Sequence, residues 1–129
     1  DFLFFHFMID LSDGPCLAKR STGCGAGSEY MAVTPRGELY PCHQFVGDED
    51  FKLGDVFIGI KNFNIREQFK KSNVFSKEEC NNCWAKFYCS GGCNANNYNT
   101  NGDVMKSYKV ACEMEKKRIE CAISILANE

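Results

Sequence analysis

The sequence predicts an α+β fold: a small antiparallel β-hairpin or sheet, then cysteine-rich loops, then a long C-terminal helix. Three observations predict it. β-forming residues flank a short glycine-bearing turn between positions 29 and 40. Gly, Asn and Ser are frequent from Cys89 to Gly102. Positions 107–127 contain neither Gly nor Pro.

The elements follow in order. Residues 2–9 are rich in Phe and read as a buried strand. Asp13-Gly14-Pro15 breaks that strand, and a loop carries Cys16 and Cys24. Glu29-Tyr30-Met31-Ala32-Val33-Thr34 and Glu38-Leu39-Tyr40 enclose Pro35-Arg36-Gly37, a hairpin signature with Gly supplying a positive φ. The hairpin turns the chain back, so Cys42 can approach Cys24. Phe51-Lys52-Leu53-Gly54-Asp55-Val56 reads as a third short strand. Asn64 is a candidate cap for a helix over residues 65–71. Ser76 followed by Glu79 fits a capping box, which places Cys80 and Cys83 on a short helical turn. From Cys89 to Thr100 the chain is polar and reads as loop, with Asn94, Asn96, Asn97 and Asn99 as turn formers. In the last helix Val110, Met114, Cys121 and Ile125 form an apolar stripe. Ile119, Ala122, Ile123 and Leu126 widen it.

Length and charge bound the function. A chain of 129 residues fits one domain or a piece of a larger protein, and it opens on Asp1 rather than Met. The net charge of −2 comes from 15 basic and 17 acidic residues, with no long basic run. An electrostatic nucleic-acid surface is therefore not expected. No stretch approaches the roughly 18 apolar residues of a membrane span. The first ten residues lack the cationic start and small-residue cleavage site of a signal peptide. A reducing, cytoplasmic setting is expected, in which thiolates are available to metal.

The cysteines carry the chemistry. One group reads Cys24-x12-Gly37-x4-Cys42, with Cys16 just upstream. The other reads Cys80-x2-Cys83-x5-Cys89-x3-Cys93, then Cys112. Four cysteines within fourteen residues are too dense for core packing alone. Iron–sulfur clusters, structural zinc and a disulfide framework are the three candidate fates. The odd cysteine count and the absence of an export signal argue against disulfides. Cys-x2-Cys suits zinc as well as iron, but the x5 and x3 intervals do not fit the paired knuckles of a zinc ribbon. A cubane needs one thiolate at each of four irons. Cys80 and Cys83 can supply two from one turn, Cys89 a third, and Cys112 a fourth from the last helix. Cys93, behind Gly91-Gly92, can face a second cluster with Cys24 and Cys42. The glycines permit a sharp reversal and bring backbone N–H groups near cluster sulfur.

This cysteine pattern resembles the seven-cysteine signature of the SPASM domain, a C-terminal part of many radical SAM enzymes that modify peptides. The segments Gly14-Pro15-Cys16-Leu17-Ala18-Lys19, Tyr40-Pro41-Cys42-His43-Gln44-Phe45-Val46-Gly47 and Asn82-Cys83-Trp84-Ala85-Lys86-Phe87-Tyr88-Cys89-Ser90-Gly91-Gly92-Cys93 resemble the maturases of six-cysteine (SCIFF) peptides. Those enzymes form thioether cross-links. The resemblance implies two [4Fe–4S] clusters, the first on Cys24, Cys42 and Cys93, the second on Cys80, Cys83, Cys89 and Cys112. Cys16 either completes the first cluster or leaves an iron corner open for a substrate thiolate. The implied partners are a cysteine-rich precursor peptide and an upstream radical SAM domain. Residues 1–12 would be the end of that domain or the linker from it, and residues 13–129 would form the auxiliary-cluster domain. The Cys-x3-Cys-x2-Cys loop that serves S-adenosylmethionine cleavage does not occur in the chain, so it is not expected to generate a radical alone. The rival reading is a structural zinc module for protein contacts. Zinc could also replace clusters lost to oxygen.

The remaining candidates have plainer expectations. Cys121 is expected as a buried free thiol. His43 and His6 are expected as structural or surface residues. Trp84, Phe87 and Tyr88 are expected to shield a cluster from water. Lys19 and Arg20 are expected either to offset an anionic cluster or to be solvated.

Overall fold

The computed structural model describes residues 4–11 and 16–128. The Asp13-Gly14-Pro15 break lies outside the described residues. The fold is α+β. A four-stranded antiparallel sheet in sequential order β1-β2-β3-β4 is built from Ala32–Val33, Glu38–Tyr40, Gly54–Asp55 and Gly59–Ile60. Among the described residues six α-helices accompany it: α1 Leu17–Thr22, α2 Phe63–Lys71, α3 Glu78–Asn81, α4 Lys86–Cys89, α5 Asn94–Asn101 and α6 Lys109–Leu126.

The first hairpin pairs Ala32 with Tyr40 and Val33 with Leu39. Gly37 closes its turn at φ +86°, donating its N–H to Thr34 O at 2.8 Å. The expected third strand is shorter than its sequence suggests. Glu49–Phe51 forms a 3₁₀ turn capped by the Asp48 side chain, and only Gly54–Asp55 pairs with β2. The fourth strand, unpredicted, follows a tight turn held by Asp55 Oδ1, which accepts from Phe57 and Ile58 N–H.

Phe45, Phe51, Phe69 and Tyr98 pack as the centre of the core, with Phe45–Phe51 centroids 4.3 Å apart and Phe51–Tyr98 4.6 Å in edge geometry. Such pairs add to the hydrophobic gain of burial. Cys42 and Ala95 lie in the same cluster, so the core reaches directly beneath one candidate ligand.

Several local expectations are corrected. Within the Phe-rich opening, Phe5–Phe7 is a 3₁₀ turn packed on α6, not a strand; Phe5 and Met8 are exposed. No sheet edge within the described residues receives it. The cap of α2 is Asn62, whose Oδ1 accepts from Ile65 N–H at 3.3 Å, so the helix starts before Asn64. The Ser76–Glu79 capping box does not form. Asn73 Oδ1 takes the Phe75 and Ser76 N–H groups instead. The asparagine-rich stretch is helical, because Asn94 and Asn97 turn inward and spend their amides on buried partners. The long C-terminal helix forms within two residues of its expected ends, but its stripe is not the core face. It buries Ile119 and Ala122, whereas Val110, Met114 and Ile125 are exposed.

Candidate metal centre

Cys80, Cys83, Cys89 and Cys112 line one cavity of about 350 Å³. Their origins are separate. Cys80 is buried in α3, Cys83 follows one turn later with its N–H on Cys80 O (3.0 Å), Cys89 ends α4, and Cys112 lies in the first turn of α6. Contact of α4 with α6 closes the site. Ser107 Oγ approaches Cys80 Sγ at 3.6 Å from the entry to α6.

Asn97 aligns that entry. Its Oδ1 accepts from Tyr108 N–H at 3.0 Å, and its amide donates to Val104 O at 3.4 Å and Gly91 O at 3.5 Å. One side chain thus ties the loop after Cys89 to the start of the helix bearing Cys112. Between Cys89 and Cys93 the backbone takes three successive left-handed residues, Ser90 (φ 58°), Gly91 (84°) and Gly92 (74°). This reversal turns the Gly91 and Gly92 N–H groups toward the Cys89 sulfur, where they favour its thiolate. Burial is the larger effect: it pushes the Cys89 thiol up to about 11, with Glu115 adding to the rise. Cys112 is also raised, by burial first and then by the neighbouring Cys80 and Cys83, with Lys116 opposing.

The segments next to Cys24, Cys42 and Cys93 touch one another elsewhere. α1 packs against α4. A Cβ at Gly23 would stand 3.3 Å from Ser90 O, which sets the chain before Cys24 beside the reversal that leads to Cys93. Gln44 Nε2 donates to Cys93 Sγ at 3.5 Å, and Gln44 stands two residues after Cys42. Tyr30 spans the remaining side. Burial of its hydroxyl raises its pKa first, and Cys42 and Cys24 raise it further, while the His43 N–H opposes them. The hairpin expectation is met in this respect: Gly27 N–H reaches Pro41 O at 2.9 Å, so the loop after Cys24 lies against the strand end before Cys42. Cys16 is exposed at the head of α1, within electrostatic reach of Lys19.

Among the described residues, no three Cys, His, Asp or Glu side chains close on one point tightly enough to hold a single metal ion. A tetrahedral zinc with four sulfurs at 2.3 Å would need them about 3.8 Å apart. Thiols spread around a cavity suit a larger anionic group with several metal corners. The charge distribution also fits such a group. Lys116 stands near Cys83 and Cys112, and the buried Lys77 faces Cys80, Cys89, Cys112 and Cys93.

Other expected participants fall outside the centre. Trp84 is 53% exposed, and neither it nor Phe87 lines the four-thiol cavity, where the apolar wall is Ala85; Tyr88 lies closer, lining a neighbouring cavity with Cys89, Cys93 and Cys112. Phe87 instead packs on Phe75, with Lys86 over both rings. His43 is exposed. Cys121 is half-buried, in a separate cavity beside Phe4 and Met114. His6 Nδ1 lies 3.3 Å from an Arg118 nitrogen. Lys19 pairs with Glu29. Lys77, Tyr30 and Asn97 carry no sequence signal of their position. In the charged run Ser76-Lys77-Glu78-Glu79 a lysine reads as solvated, and only the fold reveals its burial.

Comparison with known proteins fits this geometry. Residues 24–84 match the SPASM iron–sulfur cluster-binding domain. The matched span includes Cys24, Cys42, Cys80 and Cys83, and Cys89, Cys93 and Cys112 follow it. The SPASM match supports an iron–sulfur cluster-binding domain. An uncharacterized protein of Archaeoglobus fulgidus is 32% identical over 110 residues, covering 81% of this chain and 26% of that protein. The chain thus spans about a quarter of the length of the curated relative that it matches. No helix among the described residues is long and apolar enough to cross a membrane.

Proposed function

We propose that this chain is the auxiliary-cluster domain of a cytoplasmic radical SAM enzyme that forms thioether cross-links in a cysteine-rich precursor peptide. Residues 13–129 would form this domain and residues 1–12 its link to the upstream catalytic domain, where S-adenosylmethionine is cleaved. Cys80, Cys83, Cys89 and Cys112 would hold one [4Fe–4S] cluster. Cys24, Cys42 and Cys93 would hold another, with Cys16 as a fourth ligand or with one corner left to a substrate thiolate. The observation that carries the reading is the single cavity rimmed by four thiols from α3, the turn after it, α4 and α6.

Such clusters supply one-electron transfer and, at an open iron, a Lewis acid for sulfur. The chain's own residues supply the rest. Asn97 fixes α6 so that Cys112 faces Cys80 and Cys83. Gly91 and Gly92 present N–H groups to the Cys89 sulfur, where they stabilise negative charge. Ala85 and the buried flank of α3 limit water on one side. Lys116 and Lys77 offset the thiolate charge. The exposed Cys16, Cys24 and Cys93 leave the other centre open to a peptide.

The test is iron, sulfide and zinc per chain after reconstitution without oxygen. About eight irons and eight sulfides are expected, falling to about four of each in Cys112→Ser and again in Cys42→Ser. One or two zinc ions with no stable iron uptake would overturn the reading in favour of a structural zinc module.

A further inference from the structure

Lys77 is 2% exposed, on a side chain that is almost never fully buried without a paired charge. Its Nζ donates to Gly91 O at 2.9 Å and to Asn94 Oδ1 at 3.2 Å, and Asn94 is itself held by Ser72 Oγ at 2.8 Å. Both acceptors are neutral. Among the described residues no carboxylate lies within 4.0 Å of it. An ammonium has three donors, and these two contacts use two of them.

The groups that answer its charge are sulfurs. Burial lowers the Lys77 pKa, and negative charge on Cys80, Cys89 and Cys112 of the four-thiol cavity and on Cys93 of the other group acts against that burial. A Cβ at Gly91 would stand 3.6 Å from the ammonium, so Lys77 sits directly under the reversal that separates Cys89 from Cys93. Protonated thiols leave a buried cation without a counterion, which is costly. A bound anionic group on these sulfurs removes that cost.

We propose that Lys77 is a positioning residue, a buried ammonium that serves as a shared countercharge for the groups bound on both sets of cysteines. The inference rests on the cluster reading given above. A fixed positive charge stabilises the more negative, reduced state of each cluster more than the oxidised state. Lys77 therefore raises both reduction potentials.

The test compares wild type with Lys77→Met, Lys77→Gln and Lys77→Arg, each reconstituted with iron and sulfide without oxygen. Iron content and the reduction potential of each cluster are read by titration followed with electron paramagnetic resonance. At a fixed ambient potential the reduced-to-oxidised ratio should fall about tenfold in Lys77→Met and Lys77→Gln, a shift of 59 mV for a one-electron couple, and recover in Lys77→Arg. Wild-type protein that takes up no iron overturns the cluster reading itself. Neutral variants that load fully with unchanged potentials overturn the role of Lys77 alone. Where a neutral variant fails to load, circular dichroism of its metal-free form decides. Retained structure with lost iron supports the countercharge; lost structure makes Lys77 a folding residue and overturns the proposal.

Discussion

Two buried amides organise this centre at the scale of single residues. Asn94 and Asn97 sit on α5 one turn apart and satisfy donors and acceptors from four other segments. Buried polar groups of this kind contribute modestly when paired and cost more when a partner is removed. Asn97→Leu should therefore destabilise the protein by about 1–3 kcal/mol, since it strands the Tyr108 N–H and the Val104 carbonyl. Urea denaturation of the metal-free protein measures the loss. Iron uptake at the four-thiol cavity should fall as well, because α6 loses the contact that orients Cys112. The cysteines were legible because their spacing is a property of the chain. Lys77 and the two asparagines were not, because a polar residue reveals its burial only once the segments around it have packed.

At the scale of elements, glycine and charge set the sheet. Gly54 has φ +149°, and a Cβ there would stand 2.1 Å from Gly59 O across the β3–β4 pair. Gly54→Ala should cost about 3 kcal/mol and lower the melting temperature accordingly, since neither backbone can move without breaking the pairing. Glu38 offers a pH test. Its carboxylate accepts from Lys52 Nζ at 2.7 Å and from Thr34 Oγ1 at 3.2 Å. The Lys52 bond is the main cause that holds its pKa below the ordinary 4.5. A depressed carboxylate stabilises the fold above its unfolded pKa, and that contribution is lost as pH falls through the folded value. Melting temperature measured from pH 7 downward should drop below about pH 4.5 in wild type, with a shallower drop in Glu38→Gln. The hairpin was visible in the sequence because its turn chemistry is local. The helix over the asparagines was not, since asparagine favours turns unless tertiary partners take its amide.

The whole molecule has a small aromatic core that includes Cys42, and a separate cavity lined by four thiols. α6 buries only Ile119 and Ala122, and Met114 on its flank is 69% exposed. A group held by the four thiols would therefore add to the attachment that Asn97 gives the start of this helix. A group bound only by the folded state stabilises that state by mass action, about 2.7 kcal/mol at a hundredfold excess over its dissociation constant. Loaded protein should melt at a higher temperature than the metal-free form, and residues 80–112 should resist protease longer. Equal melting temperatures for the two forms would contradict this coupling.

The sequence by itself determined the α+β class, the hairpin, the final helix and the spacing of the cysteines. These follow from local turn chemistry, the absence of helix breakers and spacing along one chain. Only the tertiary structure decided that Phe5–Phe7 is not a strand, that the stripe of α6 faces outward, and that Lys77 lies under Gly91 among the sulfurs. Each of these turns on which surface another segment covers. That depends on contacts between residues far apart in the sequence, which no local pattern encodes.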